Sequence, residues 1–311
     1  MTDTAARAIT PVPPAPGFLR LLKRPRVVGL ACVVILADLG WTYLGLMLAG
    51  ALPAAQPAAL GPGMGMFDLF PMSLGGLGHA LFDALCRPAF GSAAMAGTFG
   101  AAEFALVFFM WCAMVLAMML PTAGPMILTY ADIAEAAAER QEPVVSPLAL
   151  AGGYVAVWLG FALAATVLQL TFAGLALLEP AMGTVNGLFA GAILLGAGFY
   201  QFSAVKHACL TRCQRPFPFL FANWSSERPG VFRLGLRQGL DCLGCCWVLM
   251  MVMFAVGVMN VVWMAVLGLI MGIEKMTASG RFSRAIGVAL VMAGAVFVVS
   301  SVIGHWPARA G

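Results

Sequence analysis

The sequence predicts an all-α, polytopic transmembrane helical bundle of six or seven spans. Of 311 residues, 62% are hydrophobic and only 10% are charged, against about 25% charged in an ordinary soluble domain. At about 20 apolar residues per crossing, this content makes about six spans and leaves little for a folded domain outside the lipid. The formal charge of +4 is small and its 17 Lys and Arg residues are scattered, which argues against a nucleic-acid surface. The partners implied are the lipid bilayer and something small. Eight cysteines and 20 methionines are the compositional lead, because soft sulfur ligands suit Cu(I).

Residues 1–26 form a Pro-rich tail with Arg7, Arg20, Lys23, Arg24 and Arg26, and residues 27–311 form the transmembrane domain. The apolar run 27–50 is too long for a signal-peptide core and is read as an uncleaved first span. Asp38 lies at its middle, where an ionisable group costs about 3 kcal/mol unless it faces the bundle interior or water; it is expected to point inward. Residues 51–100 are a Gly/Pro-rich connection holding Met64, Met66, Met72, His79, Cys86 and Met95. Of these, Met64 and Met66 suggest an outer capture site. A second span runs over 101–120, and Pro121 and Pro125 kink or stop it, each removing a backbone donor. An Ala/Glu-rich amphipathic stretch follows to about Glu142.

The third span covers 148–177 and the fourth 185–205, with Gly187 and Gly191 spaced for close helix contact. The next loop, 206–237, carries Lys206, Arg212, Arg215, Arg228, Arg233 and Arg237 against Glu227. Residues 243–273 are long for one crossing and short for two, and Gly257 and Asn260 mark either a tight hairpin or a break within one tilted helix. The last span is 285–304. Basic residues favour the cytoplasm, so the tail, with the N-terminus, and the 206–237 loop are assigned there, in a bacterial inner membrane. The 121–147 segment, with four acids and only Arg140, does not reinforce that assignment.

The chemistry flanks the basic loop. His207, Cys209 and Cys213 close the fourth span, and Cys242, Cys245 and Cys246 open the fifth; spacings of three and four put each set of thiols on one helical face. Both clusters therefore lie on one side of the membrane, where cytoplasmic thiols stay reduced. Lys206, Arg212 and Arg237 are the bases expected to favour thiolate. Cys242, Cys246, Met250 and Met253 continue as a soft-ligand stripe, and Met118 and Met119 lie at the same depth on the second span. Lone cysteines such as Cys32 and Cys112 are read as small buried hydrophobes.

Three motifs in order also carry a resemblance. They are Trp111, Met114 and Ala117–Pro121 with Pro125 and Met126; Tyr200, Gln201, Lys206, Cys209, Leu210, Cys213 and Pro216; and Cys242, Gly244–Trp247, Leu249, Met250, Gly257, Met259, Asn260, Trp263, Met264, Glu274 and Lys275. Together, over about residues 100–295, they resemble a bacterial family of integral membrane proteins labelled metal-binding and sometimes copper chaperone. The resemblance implies metal handling.

The resulting expectation is a membrane protein that binds Cu(I), with zinc as the alternative ion, for transport or for delivery to a copper enzyme or periplasmic metal protein. The ligands would be Cys209, Cys213, Cys242, Cys245 and Cys246, with His207, Met118, Met119, Met250 and Met253 in support. Two other readings stay open: a membrane thiol–disulfide redox protein, and a non-catalytic assembly subunit whose cysteines only pack. No phosphate loop or zincin spacing occurs, and His79, His207 and His305 fall in different regions, so an enzyme is the weaker expectation.

Overall fold

The computed structural model describes residues 25–51, 62–64, 100–175, 187–258, 260–277 and 279–305. Its regular elements are α1 (Pro25–Ala51), α2 (Ala101–Glu139), α3 (Pro147–Gly174), α4 (Gly187–Tyr200), α5 (Ala204–Gln214), α6 (Pro216–Ala222), α7 (Arg228–Val256), α8 (Val261–Met276) and α9 (Gly280–His305). No strand occurs among the described residues. Five helices, α1, α2, α3, α7 and α9, are long and apolar enough to cross a membrane, and the bent pair α4–α5 makes a sixth if counted as one span. The polytopic helical bundle is as expected, at the lower end of the expected number. In the centre, α2 packs on α1, α3 and α8, and α7 packs on α3, α4, α5 and α8, while α9 closes against α4.

The prolines of α2 do not end it: the helix runs 39 residues through both. Pro121 has no N–H to give the Ala117 carbonyl, and the Trp41 indole Nε1–H donates to that carbonyl instead, at 3.1 Å. Thr122 Oγ1 donates to Met119 O at 2.8 Å and Tyr154 OH donates to the same oxygen at 3.2 Å. A transmembrane helix tolerates proline when a neighbour satisfies the freed carbonyl, as Trp41 does at Ala117.

Asp38 is a correction, since its side chain is exposed on the outer face of α1. Val33, Ala37 and Leu44 are the buried positions of this helix, and about 100° of rotation per residue turns Asp38 away from them, between the outward-facing Ile35 and Leu39.

Two breaks shape the site. The expected fourth span stops at Tyr200; α5 restarts at a 64° bend, capped by Ser203, whose hydroxyl accepts from the Lys206 N–H at 3.1 Å. The stretch 206–237, expected to be a loop, is mostly the helices α5, α6 and the start of α7. The break at 257–260 is a hairpin. Gly257 adopts φ 104°, which a side-chain-bearing residue rarely adopts, and the Asn260 carboxamide accepts from the Trp263 N–H to cap α8. From there α8 returns along α7, so that Lys275 reaches Cys242, 33 residues earlier.

The α3–α7 contact brings backbones together. A Cβ at Gly235 would lie 2.0 Å from the Leu150 carbonyl oxygen, and one at Gly153 would lie 2.1 Å from that of Phe232. Only glycine permits this approach, and it seats Tyr154 against the cysteine turn of α7.

Candidate metal centre

Along α7 the buried positions recur at helical spacing as Gln238, Cys242, Cys245, Cys246, Leu249, Met250 and Met253. Leu240 and Trp247 face outward. Three thiols at i, i+3 and i+4 must therefore converge. The sulfurs of Cys242, Cys245 and Cys246 all lie within 4.8 Å of one another, and all three residues are buried. With metal–sulfur bonds of about 2.3 Å, three sulfurs around one ion stand about 4 Å apart, so small shifts of these side chains would enclose a metal. The closest pair, Cys245 and Cys246, is at 3.2 Å. Cys245 also donates to its own helix at Cys242 O, 3.1 Å away.

Cys242 is the most heavily engaged of the three. Lys275 Nζ donates to its sulfur at 2.9 Å, the Tyr154 hydroxyl lies 3.0 Å from it, and Lys275 also donates to Thr122 Oγ1. Three helices, α3, α7 and α8, thus meet at one thiol, and α2 joins them through Lys275. Cys213, on α5, lines the same cavity as Cys242, although it lies outside the group whose sulfurs are all within 4.8 Å. The geometry that would join the two clusters thus runs through Cys213.

The cation at this site is not one of the three expected. Lys206 is fully buried and paired with Glu274 at 2.8 Å, Arg212 pairs with Asp241 at 3.0 Å, and Arg237 donates to the Asn223 carboxamide. Lys206 and Arg212 are neutralised by these carboxylates, Arg237 is held at the surface by an amide, and Lys275 supplies the ammonium beside the thiols. Its role, like those of Tyr154 and Thr122, is missed by spacing arguments because it depends on the hairpin returning α8 to the level of Cys242. Lys275 does occur in the third motif, which is the one signal that pointed to it.

The other expected ligands scatter around the centre. Cys209 packs its sulfur onto Gly244, where a Cβ would lie only 2.6 Å away. His207 faces Gly280 at the start of α9. Neither belongs to the thiol group. Met250 and Met253 are wholly buried one and two turns beyond Cys246, and Met118 and Met119 are buried on α2, with Met118 against Gly268 of α8. Cys32 and Cys112 are half-buried and free. Met64 is buried, whereas Met66, Met72, His79, Cys86 and Met95 lie outside the described residues.

Beyond Met253 the bundle is filled by rings. Trp111 packs on Phe254 at a centroid distance of 5.5 Å and on Phe161 at 6.1 Å, and Phe172 meets Phe254 at 5.6 Å. The indole N–H of Trp111 is spent on Gln169 Oε1 at 2.8 Å. On the opposite side of the thiols a cavity of about 330 Å³ is lined by Cys213, Cys242, Lys275, Gln214, Gln238 and Tyr154, among others.

Comparison with known proteins places this geometry in context. Residues 108–297 match the model of the PpoB2 family, described as copper chaperone; that is more than half of the chain, and it contains Thr122, Tyr154, Cys213, Cys242, Cys245, Cys246 and Lys275. No curated protein and no solved structure matches the chain.

Proposed function

The chain belongs to the PpoB2 copper chaperone family, and on that premise we propose that it holds one Cu(I) ion on the Cys242, Cys245 and Cys246 thiols and delivers it to a copper-dependent partner. The observation that carries this reading is the buried trio of sulfurs with an ammonium beside it. Thiolates around a monovalent ion leave net negative charge, which a dry interior penalises; Lys275 offsets it. Cys213 is the fourth sulfur, through which the ion enters and leaves. Met250, Met253, Met118 and Met119 supply thioether surroundings that keep the ion in soft, apolar company, with Cys209 and His207 standing outside the first set of ligands.

The aromatic layer beyond Met253 favours loading and release on the cavity side over passage across the bilayer. In the orientation proposed from the basic residues, that side is the cytoplasm of a bacterial inner membrane and the N-terminus shares it. Copper suits the donor set better than zinc because the thioethers add nothing that a divalent, harder ion prefers.

The test is metal content. Protein purified in detergent under anaerobic, reducing conditions and loaded with Cu(I) is expected to hold about one equivalent. Replacing Cys245 and Cys246 together by Ser, which exchanges soft sulfur for hard oxygen, is expected to reduce this at least tenfold with helicity retained. Equal copper in wild type and double variant, both folded, would remove the proposal.

A second reading is a thiol–disulfide redox protein that cycles a cross-helix pair, for which Cys213 and Cys242, lining one cavity from two helices, are better placed than the adjacent Cys245 and Cys246, whose disulfide would be strained. It predicts that mild oxidation removes two free thiols without loss of fold, and that copper neither binds nor protects them.

A further inference from the structure

The cavity beside Cys242 carries features that a packed thiol site does not need. Its volume of about 330 Å³ is at the small end of the range of ligand pockets, about 300–1,000 Å³, and too small for a folded partner to enter. Its two lining thiols, Cys213 and Cys242, come from α5 and α7. Its cation is Lys275, whose ammonium is held by Thr122 and Cys242. Gln238 also lines it; this side chain is only 3% exposed, and its carboxamide oxygen has no hydrogen-bond partner among the described residues. A buried amide oxygen left unpaired costs about 1–3 kcal/mol, which an N–H or O–H donor placed in the cavity would recover.

A ligand that fits these groups has a soft-bound metal at one end, a carboxylate for the ammonium and an N–H for the carboxamide. We propose that this cavity receives copper as an anionic two-thiolate complex of a low-molecular-weight, carboxylate-bearing thiol, one arm of which, about the size of a tripeptide, enters the cavity. The proposal rests on the Cu(I) reading above and names the form in which the cargo arrives.

The transfer is ligand exchange without redox change. The Cys213 thiol attacks the copper of the docked complex, a copper–sulfur bond to Cys213 forms, and one copper–sulfur bond to the carrier breaks. The Cys213 proton passes to the departing carrier sulfur, which leaves as a free thiol. A second exchange at Cys242 repeats these bond changes and releases the second carrier molecule, with copper remaining +1 throughout. Lys275 holds the carrier carboxylate during the first exchange and is a positioning residue.

The experiment uses the full chain in detergent under anaerobic conditions. It follows the ultraviolet absorbance of protein-bound Cu(I)–thiolate after mixing with Cu(I) carried by glutathione, which bears carboxylates, or by β-mercaptoethanol, which bears none. In wild type, the half-saturating concentration is expected to be at least tenfold lower for the glutathione complex. Lys275→Met is expected to remove most of that difference and Lys275→Arg to retain it, while Gln238→Leu is expected to reduce it severalfold.

A Lys275→Met variant that raises the half-saturating concentration of both donors equally would overturn the proposal, leaving Lys275 as a partner of the thiols alone. Wild-type protein with no preference between donors would overturn it too. If the lysine variants do not fold, the wild-type donor preference and Gln238→Leu still decide it. Failure of the copper reading looks different: wild type would then take up no copper from either carrier.

Discussion

Lys206 and Glu274 form an ion pair with both side chains 1% exposed, and one oxygen of Glu274 has no further partner. Such a pair gains little over apolar residues of the same shape, yet removing one member leaves an uncompensated buried charge at a cost of about 3–5 kcal/mol. Lys206→Met is therefore expected to lower resistance to chemical denaturation by roughly that amount, and Lys206→Met with Glu274→Leu to recover most of it. If the double variant were as unstable as the single one, the pair would be holding more than itself. The Gln214 carboxamide, which donates to the Glu274 and Thr277 carbonyls, suggests where any excess would lie: both contacts tie α5 to α8, and α5 carries Cys213.

At the level of the helix, Pro121 of α2 and the indole of Trp41 act as one unit. Trp41→Phe is expected to cost about 1–2 kcal/mol because it strands the Ala117 carbonyl. In a Pro121→Ala background, where residue 121 regains its N–H, the same change is expected to cost almost nothing. A double-mutant cycle on denaturation midpoints measures the coupling, and a cycle that closes at zero would show that the Trp41–Ala117 bond is incidental. This interplay also explains what sequence reading reached and what it did not. Hydropathy located nearly every apolar stretch, and i, i+3, i+4 spacing brought Cys242, Cys245 and Cys246 together, because both properties are local. Whether Pro121 stops a helix depends on a donor, Trp41, 76 residues before the freed Ala117 carbonyl. The thiols' cation is equally remote: charges near in sequence, Lys206, Arg212 and Arg237, are committed to partners of their own, while Lys275 arrives through a hairpin turn that spacing alone left ambiguous. Asp38 was misjudged for a related reason: a desolvation cost says that a carboxylate prefers the interior, and the close seating of α1 on α2 through the Gly40 backbone settles which face turns outward.

Seen whole, the molecule is asymmetric along its long axis. The thiols, the cavity and the buried ion pair lie toward the end where α5, α6 and the α8 C-terminus gather, and the ring-filled half lies toward the α7–α8 turn. Placement of the basic α5–α7 region in the cytoplasm predicts a labelling pattern. Thr211→Cys, at an exposed site on α5, is expected to react with a membrane-impermeant maleimide in inverted vesicles and not in intact cells. The reverse pattern would put the metal centre on the oxidising side, where a disulfide becomes the stable form of neighbouring thiols.

The hairpin of α7 and α8 also works as a pair of callipers. Its two arms, 242–256 and 261–275, have the same number of residues on either side of the turn, and their tips close on the sulfur of Cys242 and the ammonium of Lys275. Each residue in an arm advances the tip by about 1.5 Å and rotates it by about 100°. One residue added to or removed from either arm would therefore swing the amine off the sulfur, with every ligand still in place. The chemistry of this centre is thus written partly as a length, and a change that touches no thiol and no lysine can undo it.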